Sequence, residues 1–101
     1  MTAQHSAMRL TNQQAELIRN SIRRYFGANA KVWLFGSRID DSRRGGDVDL
    51  YIEPEHTDLT SELKCKINLE DELDLHVDLV INQAGKEEPI YRIAKQEGVR
   101  L

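Results

Sequence analysis

Cysteine, proline and long apolar runs are scarce in this sequence of 101 residues, and each scarcity narrows the possible structures. The single cysteine, Cys65, excludes an internal disulfide and offers no thiolate set for zinc, so we expect it to pack as a small apolar side chain on a helix. No apolar run approaches the roughly 20 residues of a membrane-spanning helix, and the first residues lack the apolar segment of a signal peptide. The sequence therefore predicts a cytoplasmic protein that does not contact a membrane.

Positive charge is also in short supply. The chain has 14 Lys and Arg residues against 17 Asp and Glu residues, a net charge of −3 with neutral histidines. A nucleic-acid-binding domain usually displays a basic stripe, so direct binding of nucleic acid is not expected. The length suits one hydrophobic core but no separate substrate domain, and we expect a flexible N-terminus over residues 1–10 and a single domain over residues 11–101.

Helical and strand periodicities alternate along the first half of the chain. Thr11 and Gln14 have the spacing of a capping box, and the helix that follows is expected to end at Gly27. Its apolar residues recur at helical spacing and are Ala15, Ile18, Ile22, Tyr25 and Phe26. One strand is predicted over residues 31–35, and an antiparallel second strand should end before Pro54, because proline cannot donate to the ladder.

The second half repeats this alternation. A helix capped by Asp58 or Thr60 is predicted over residues 59–73, followed by a strand over about residues 75–81 and a helix that opens at Pro89. The residues expected to face inward are Leu59, Leu63 and Ile67 on the first of these helices and Ile90, Ile93 and Ala94 on the second. A short terminal strand is predicted over residues 99–101. Together these elements predict an α/β domain with a small mixed β-sheet flanked by helices.

The second predicted strand carries two acids on one face. In the run Asp47-Val48-Asp49-Leu50-Tyr51-Ile52, carboxylates at alternate positions point to the same side, away from the aliphatic residues. Two acids held this close repel each other and favour protonation unless a cation lies between them. Oxygen ligands of this kind suit Mg²⁺, which binds one or two carboxylates and takes its other ligands from water and phosphates. The pattern therefore predicts a metal–nucleotide site, beside which we interpret Tyr51 as a packed side chain.

A phosphate site is predicted next to these acids. Gly36 and Ser37 follow the first strand, where we expect a short helix over residues 37–42 and a turn over residues 43–46. Exposed backbone N–H groups and the helix dipole at such a strand end bind anions, and glycine lets the backbone approach a phosphate closely. The arginines that are candidates for further phosphate contacts are Arg38, Arg43 and Arg44.

Gly36-Ser37, nine further residues and then Asp47-Val48-Asp49-Leu50 resemble the signature of the DNA polymerase β-like nucleotidyltransferase superfamily. The resemblance is strongest to its smallest members, the stand-alone minimal nucleotidyltransferase (MNT) proteins, and extends from the first predicted helix to Gly98. These proteins have a third acid between apolar residues on a later strand, and Asp78 matches it. The spacing of nine residues is slightly shorter than in many active members, which leaves the subgroup open.

The resemblance implies a role for each of these residues. The implied catalytic acids and ligands of two Mg²⁺ ions are Asp47, Asp49 and Asp78. The implied binding residues for the phosphates of ATP are Gly36, Ser37 and Arg38. Asp78 would also accept the proton of the attacking hydroxyl. His76 lies on the same predicted strand, and we interpret it as an ordinary surface or core histidine because magnesium rarely selects imidazole.

The implied reaction is the Mg²⁺-dependent transfer of AMP from ATP to a tyrosine of a HEPN-type toxin, which would make the protein the antitoxin of a toxin–antitoxin pair. HEPN toxins are helical RNases, and such a partner would supply the acceptor that a domain of this size lacks. Two alternatives remain open: an antitoxin that neutralises its toxin by binding alone, and an aminoglycoside-type nucleotidyltransferase subunit that modifies a small molecule. Both a homo-oligomer and a hetero-oligomer are compatible with the sequence.

Overall fold

A computed structural model describes residues 10–35, 47–83 and 86–101 of the chain. Within these ranges the three helices are α1 (Asn12–Phe26), α2 (Leu59–Leu73) and α3 (Pro89–Glu97). The four strands in the same ranges are β1 (Lys31–Phe35), β2 (Asp47–Glu53), β3 (His76–Ile81) and β4 (Val99–Arg100). This alternation confirms the predicted α/β class. The short helix and the turn predicted over residues 37–46 lie outside the described residues.

The strands form one mixed sheet in the order β3-β2-β1-β4. β1 and β2 pair antiparallel, as predicted, with Val32 opposite Ile52 and Leu34 opposite Leu50. β3 pairs parallel with β2, and the short β4 pairs antiparallel with β1. Parallel neighbours need a crossover connection, because the chain must return to the same end of the sheet, and α2 provides it.

The two faces of the sheet are covered differently. α1 and α2 pack against the face that holds the buried aliphatic residues of the strands, which are Val32, Leu34, Val48, Leu50, Ile52 and Val77. α3 packs on the other face, where Ala94 contacts a cluster containing Trp33 and Tyr51. Leu10, just before α1, joins the larger core. Because strand side chains alternate, the residues between the buried aliphatics of β2 are directed to the α3 face.

Local sequence signals at both ends of α1 are confirmed. The backbone N–H of Gln14 donates to Oγ1 of Thr11 at 3.0 Å, and the N–H of Thr11 donates to Oε1 of Gln14 at 2.9 Å, which is the predicted capping box. Gly27 ends the helix with a φ of 112°, a conformation that disfavours side chains. A Cβ at this position would also collide with the side chain of Glu55.

α2 has the predicted bounds and the predicted Asp58 cap, but it buries a different stripe from the one expected. The residues expected to face inward are exposed by 69% at Leu59, 50% at Leu63 and 64% at Ile67. The buried residues are Cys65, Leu69 and Leu73. Both sets recur every four residues and lie about 120° apart around the helix axis, so periodicity alone cannot choose between them. Packing against α1 and β3 selects the second set.

α3 begins at Pro89 as predicted, but only one of its three expected core residues is buried. Ala94 is fully buried, whereas Ile90 and Ile93 are exposed, so this part of the prediction was wrong. The helix lies against aromatic rings of the sheet, and the small Ala94 together with the half-buried Tyr91 forms its contact face. No helix in the described ranges is long and apolar enough to cross a membrane.

Candidate active site

The register of the sheet brings two of the three predicted acids together. Asp49 of β2 is the direct partner of Asp78 in the parallel strand β3, and on its other side it pairs with Phe35, the last residue of β1. Neighbouring strands lie about 4.8 Å apart, and partners in register point to the same face. The carboxylates of Asp49 and Asp78 therefore belong to one small area of the sheet surface.

This area lies on the face of the sheet that α3 covers, beside the first residues of β2. The side chains of Val48 and Leu50 are fully buried against α1 and α2, so Asp49 between them is directed to the opposite face. Asp49 is half-buried, and the side chain of Asp78 is 54% exposed. Two residues further along β2, Tyr51 is fully buried under α3. The acids thus lie on the same face of the sheet as Tyr51, nearer to the first residues of β2.

Asp47 and the predicted phosphate site are placed only through the backbone. Asp47 is the first residue of β2 and pairs in register with His76, while its side chain lies outside the described residues. The predicted nucleotide-binding residues also lie outside the described residues and are Gly36, Ser37 and Arg38. β1 ends at Phe35 opposite Asp49, so the Gly-Ser pair begins one residue after the strand position that partners this acid.

The carboxylate of Asp78 is contacted by a cluster of charged side chains at the outer edge of β3. Nε2 of His76 lies 3.4 Å from Oδ1 of Asp78, and Nζ of Lys66 lies 4.0 Å from the same atom. Oε2 of Glu70 lies 3.1 Å from Nδ1 of His76 and 3.0 Å from Nζ of Lys66. His76 is an exposed histidine, as predicted, but its ring also lies between the carboxylates of Glu70 and Asp78.

Glu70 also bonds to the backbone of β3. Its Oε2 accepts the N–H of Val77 at 2.9 Å, and Lys66 donates to the carbonyl of the same residue. The hydrogen bond from Val77 and the neighbouring Lys66 lower the pKa of Glu70 from its ordinary value of 4.5. Lys66 and Glu70 were not predicted from the sequence. Their spacing of four was the available signal, since side chains at that spacing are neighbours on a helix.

Tyr51 has the structural role that the sequence suggested. Its ring lies 5.4 Å from that of Trp33 and 5.5 Å from that of Tyr91, and its hydroxyl donates to Glu53 at 3.0 Å and accepts from Asn82 at 2.8 Å. Burial is the main cause of the raised pKa of this phenol. A cavity of about 420 Å³ opens beside it, between α3 and the far end of β2. Because the hydroxyl of Tyr51 makes its hydrogen bonds within the protein and its ring is buried, the residue has a structural role on this face of the sheet.

The donor chemistry of the acids fits magnesium. Asp49 and Asp78 offer carboxylate oxygens on one face, in the number that a Mg²⁺ ion takes from protein when the rest of its shell is water and phosphate. Among the residues that the structure describes, no group of three or more His, Cys, Asp or Glu side chains is arranged to hold a metal ion. The third predicted ligand is Asp47, whose side chain is outside that description.

Comparison with known families identifies the class of protein. Residues 16–100 match the family model described as Polymerase beta, Nucleotidyltransferase. This match spans most of the chain, and the protein therefore belongs to the polymerase β-type nucleotidyltransferase family. The family agrees with the one indicated by the Gly-Ser and Asp-x-Asp motifs, and the α/β sheet is the fold expected for it.

The solved structures that are similar to this chain include a toxin–antitoxin complex. It is described as the tri-AMPylated Shewanella oneidensis HEPN toxin in complex with MNT antitoxin. The two chains are 24% identical with a TM-score of 0.47, and the alignment covers 70% of this chain and 58% of that one. This chain therefore spans less than two thirds of that relative's length. No curated protein matches the sequence.

Proposed function

We propose that this protein is a Mg²⁺-dependent nucleotidyltransferase of the MNT type, which transfers AMP from ATP to a hydroxyl of a partner protein in the cytoplasm. The observation that carries the proposal is the pairing of Asp49 with Asp78 across two parallel strands. In a member of the nucleotidyltransferase family, two neighbouring carboxylates on one face of the sheet, beside the strand that precedes Gly36, support a site for nucleotidyl transfer.

In the proposed reaction, the acceptor oxygen forms a bond to the α-phosphorus while the bond to the β-phosphate oxygen breaks, so pyrophosphate leaves. Bound Mg²⁺ would neutralise phosphate charge and lower the pKa of the attacking hydroxyl. Asp47 and Asp49 would hold two Mg²⁺ ions, and Asp78 would be a further ligand of the second ion and accept the hydroxyl proton. The backbone at Gly36 and the hydroxyl of Ser37 would hold the terminal phosphates, with Arg38 as a further contact. Most of the catalytic effect is then positioning and charge neutralisation.

The acceptor is proposed to be a tyrosine of a HEPN-type toxin, which makes this protein an antitoxin. Two features support a protein acceptor. The motifs resemble those of stand-alone MNT proteins, and the side chain of Asp78 is 54% exposed, so a second chain could approach it. A net charge of −3 favours association with a basic partner, although complementarity of charge affects the association rate more than the affinity.

A transfer assay with ATP labelled on the α-phosphate tests the proposal. The protein is incubated with Mg²⁺ and its cognate HEPN toxin, and a parallel reaction with ATP labelled on the γ-phosphate excludes phosphorylation. We expect α-label on the toxin, and Asp49→Asn or Asp78→Asn should reduce its incorporation at least about 100-fold. Asp74→Asn is the matched control, because Asp74 is an exposed acid at the C-terminal cap of α2 with a φ of 55° that asparagine also adopts.

The assay also separates the alternatives. A toxin that binds tightly but receives label from none of the four nucleoside triphosphates would show neutralisation by binding alone. Label on an aminoglycoside and not on the toxin would show a small-molecule transferase. Equal activity in the Asp49→Asn, Asp78→Asn and Asp74→Asn variants would contradict the assignment of the site, even if transfer occurs.

A further inference from the structure

Glu70 is the residue through which α2 holds the edge of the sheet next to Asp78. One carboxylate oxygen, Oε2, lies within 3.1 Å of three groups: the N–H of Val77, Nζ of Lys66 and Nδ1 of His76. Lys66 completes the arrangement by donating to the carbonyl of Val77. An ordinary i,i+4 ion pair on a helix surface joins two side chains only. Lys66 and Glu70 differ from such a pair because both also bond to the backbone of Val77 in β3.

We propose that Glu70 is a positioning residue for Asp78. The inference rests on the proposed function, because it assumes that Asp78 ligates the metal. It assigns to α2 a second role besides the crossover between β2 and β3, namely fixing the carboxylate of the third acid. Glu70 would act in two ways, through the backbone of Val77 and through the ring of His76.

The first way follows from the place of β3 in the sheet. β3 is the outer strand in the order β3-β2-β1-β4, so one side of its backbone has no strand partner among the residues that the structure describes. Unpaired backbone groups at a sheet edge need other partners. Glu70 and Lys66 bond to the N–H and the carbonyl of Val77, as a neighbouring strand would. Because Val77 directly precedes Asp78, this contact fixes the backbone from which the acid projects.

The second way is through the side chain of His76, which contacts both Glu70 and Asp78. The imidazole of His76 lies between two carboxylates, with Nδ1 towards Glu70 and Nε2 towards Asp78. Its own side chain is 58% exposed, so packing does little to hold the ring in this orientation. The contact with Glu70 therefore orients the ring that borders Asp78. Outer groups that orient metal ligands in this manner typically change metal affinity about 10- to 100-fold when removed.

The test measures metal binding and needs no acceptor. Mn²⁺, a paramagnetic substitute for Mg²⁺, is titrated into the full chain with ATP and followed by electron paramagnetic resonance. We expect Glu70→Ala to weaken Mn²⁺ binding about tenfold. Glu70→Gln keeps an oxygen that accepts the N–H of Val77, and it should restore affinity to within about threefold of the wild type. Thermal melts establish that each variant is folded at the titration temperature.

Asp71→Asn is the matched control for charge. It removes the same charge from the neighbouring position of α2, and the side chain of Asp71 is exposed and makes no ion pair with the described residues. Its Mn²⁺ affinity should equal that of the wild type. Equal affinity in Glu70→Ala and wild type, or equal losses in Glu70→Ala and Asp71→Asn, would overturn the positioning role alone. A wild-type protein that binds no Mn²⁺ with ATP would overturn the proposed function as well.

Discussion

The orientation of α2 gives the most direct test of the structure, because the same substitution at two leucines of this helix should lower stability by very different amounts. Leu69 is fully buried in the core beside α1 and β3, whereas Leu63 is 50% exposed on the other stripe. Leu69→Ala removes a buried side chain and leaves a cavity, which should lower the free energy of unfolding by about 3 kcal/mol. Leu63→Ala loses only partial burial, and the higher helix propensity of alanine offsets part of that, so its cost should stay under about 1 kcal/mol.

Urea denaturation followed by circular dichroism measures both losses. For a domain of this size a loss of about 3 kcal/mol corresponds to a fall of roughly 12–24 °C in Tm, so thermal melts give an independent check. Leu69→Met conserves volume and should cost less than about 1.5 kcal/mol, which keeps the test usable if the alanine variant unfolds. A larger loss at Leu63 than at Leu69, or equal losses, would show that α2 packs through the other stripe and would refute the assignment of the core.

Two further predictions concern titratable groups of the same helix. Burial raises the pKa of the Cys65 thiol to about 12, so a thiol reagent such as Ellman's should react slowly with the native protein and rapidly after unfolding in guanidinium, and equal rates would contradict the burial. Hydrogen bonding from the Ser61 backbone lowers the pKa of Asp58 from 3.8, so this group stabilises the fold fully above that pH and loses its contribution as the pH falls through the folded pKa. Asp58→Asn should therefore make the decline of Tm below about pH 4 shallower, and wild-type and variant curves that stay parallel in acid would argue against it.

The predictions that succeeded from sequence rest on interactions between residues close in the chain. The capping box at Thr11, the glycine end of α1 and the proline start of α3 each depend on a few neighbouring residues. The end of β2 before Pro54 has the same origin, because proline lacks the N–H that a strand interior needs. Such features can be predicted without knowing the fold, because the residues that form them are close together in the sequence.

Part of the candidate site could also be predicted from the spacing of residues in the sequence. Spacing alone put Asp47 and Asp49 on one side of a strand, whereas the resemblance to the family was needed to choose Asp78 as the third acid. The register makes Asp78 the direct partner of Asp49, whereas Asp74 is the left-handed cap that ends α2. The roles of these acids as metal ligands stay predictions for the assays above.

Within the described residues, the sequence by itself determined the order and approximate bounds of the helices and strands, and it also determined the family and the two motifs of the candidate site, because each of these is encoded by local spacing. Only the tertiary structure decided which stripe of α2 is buried, since both stripes are apolar and the choice depends on what α1 and β3 present to the helix. It also decided that Lys66 and Glu70 meet the edge of β3 beside Asp78, a contact between residues 7 to 12 positions apart that no local pattern encodes. Packing depends on all the helices and strands together, and it determined which of the two apolar stripes of α2 is buried.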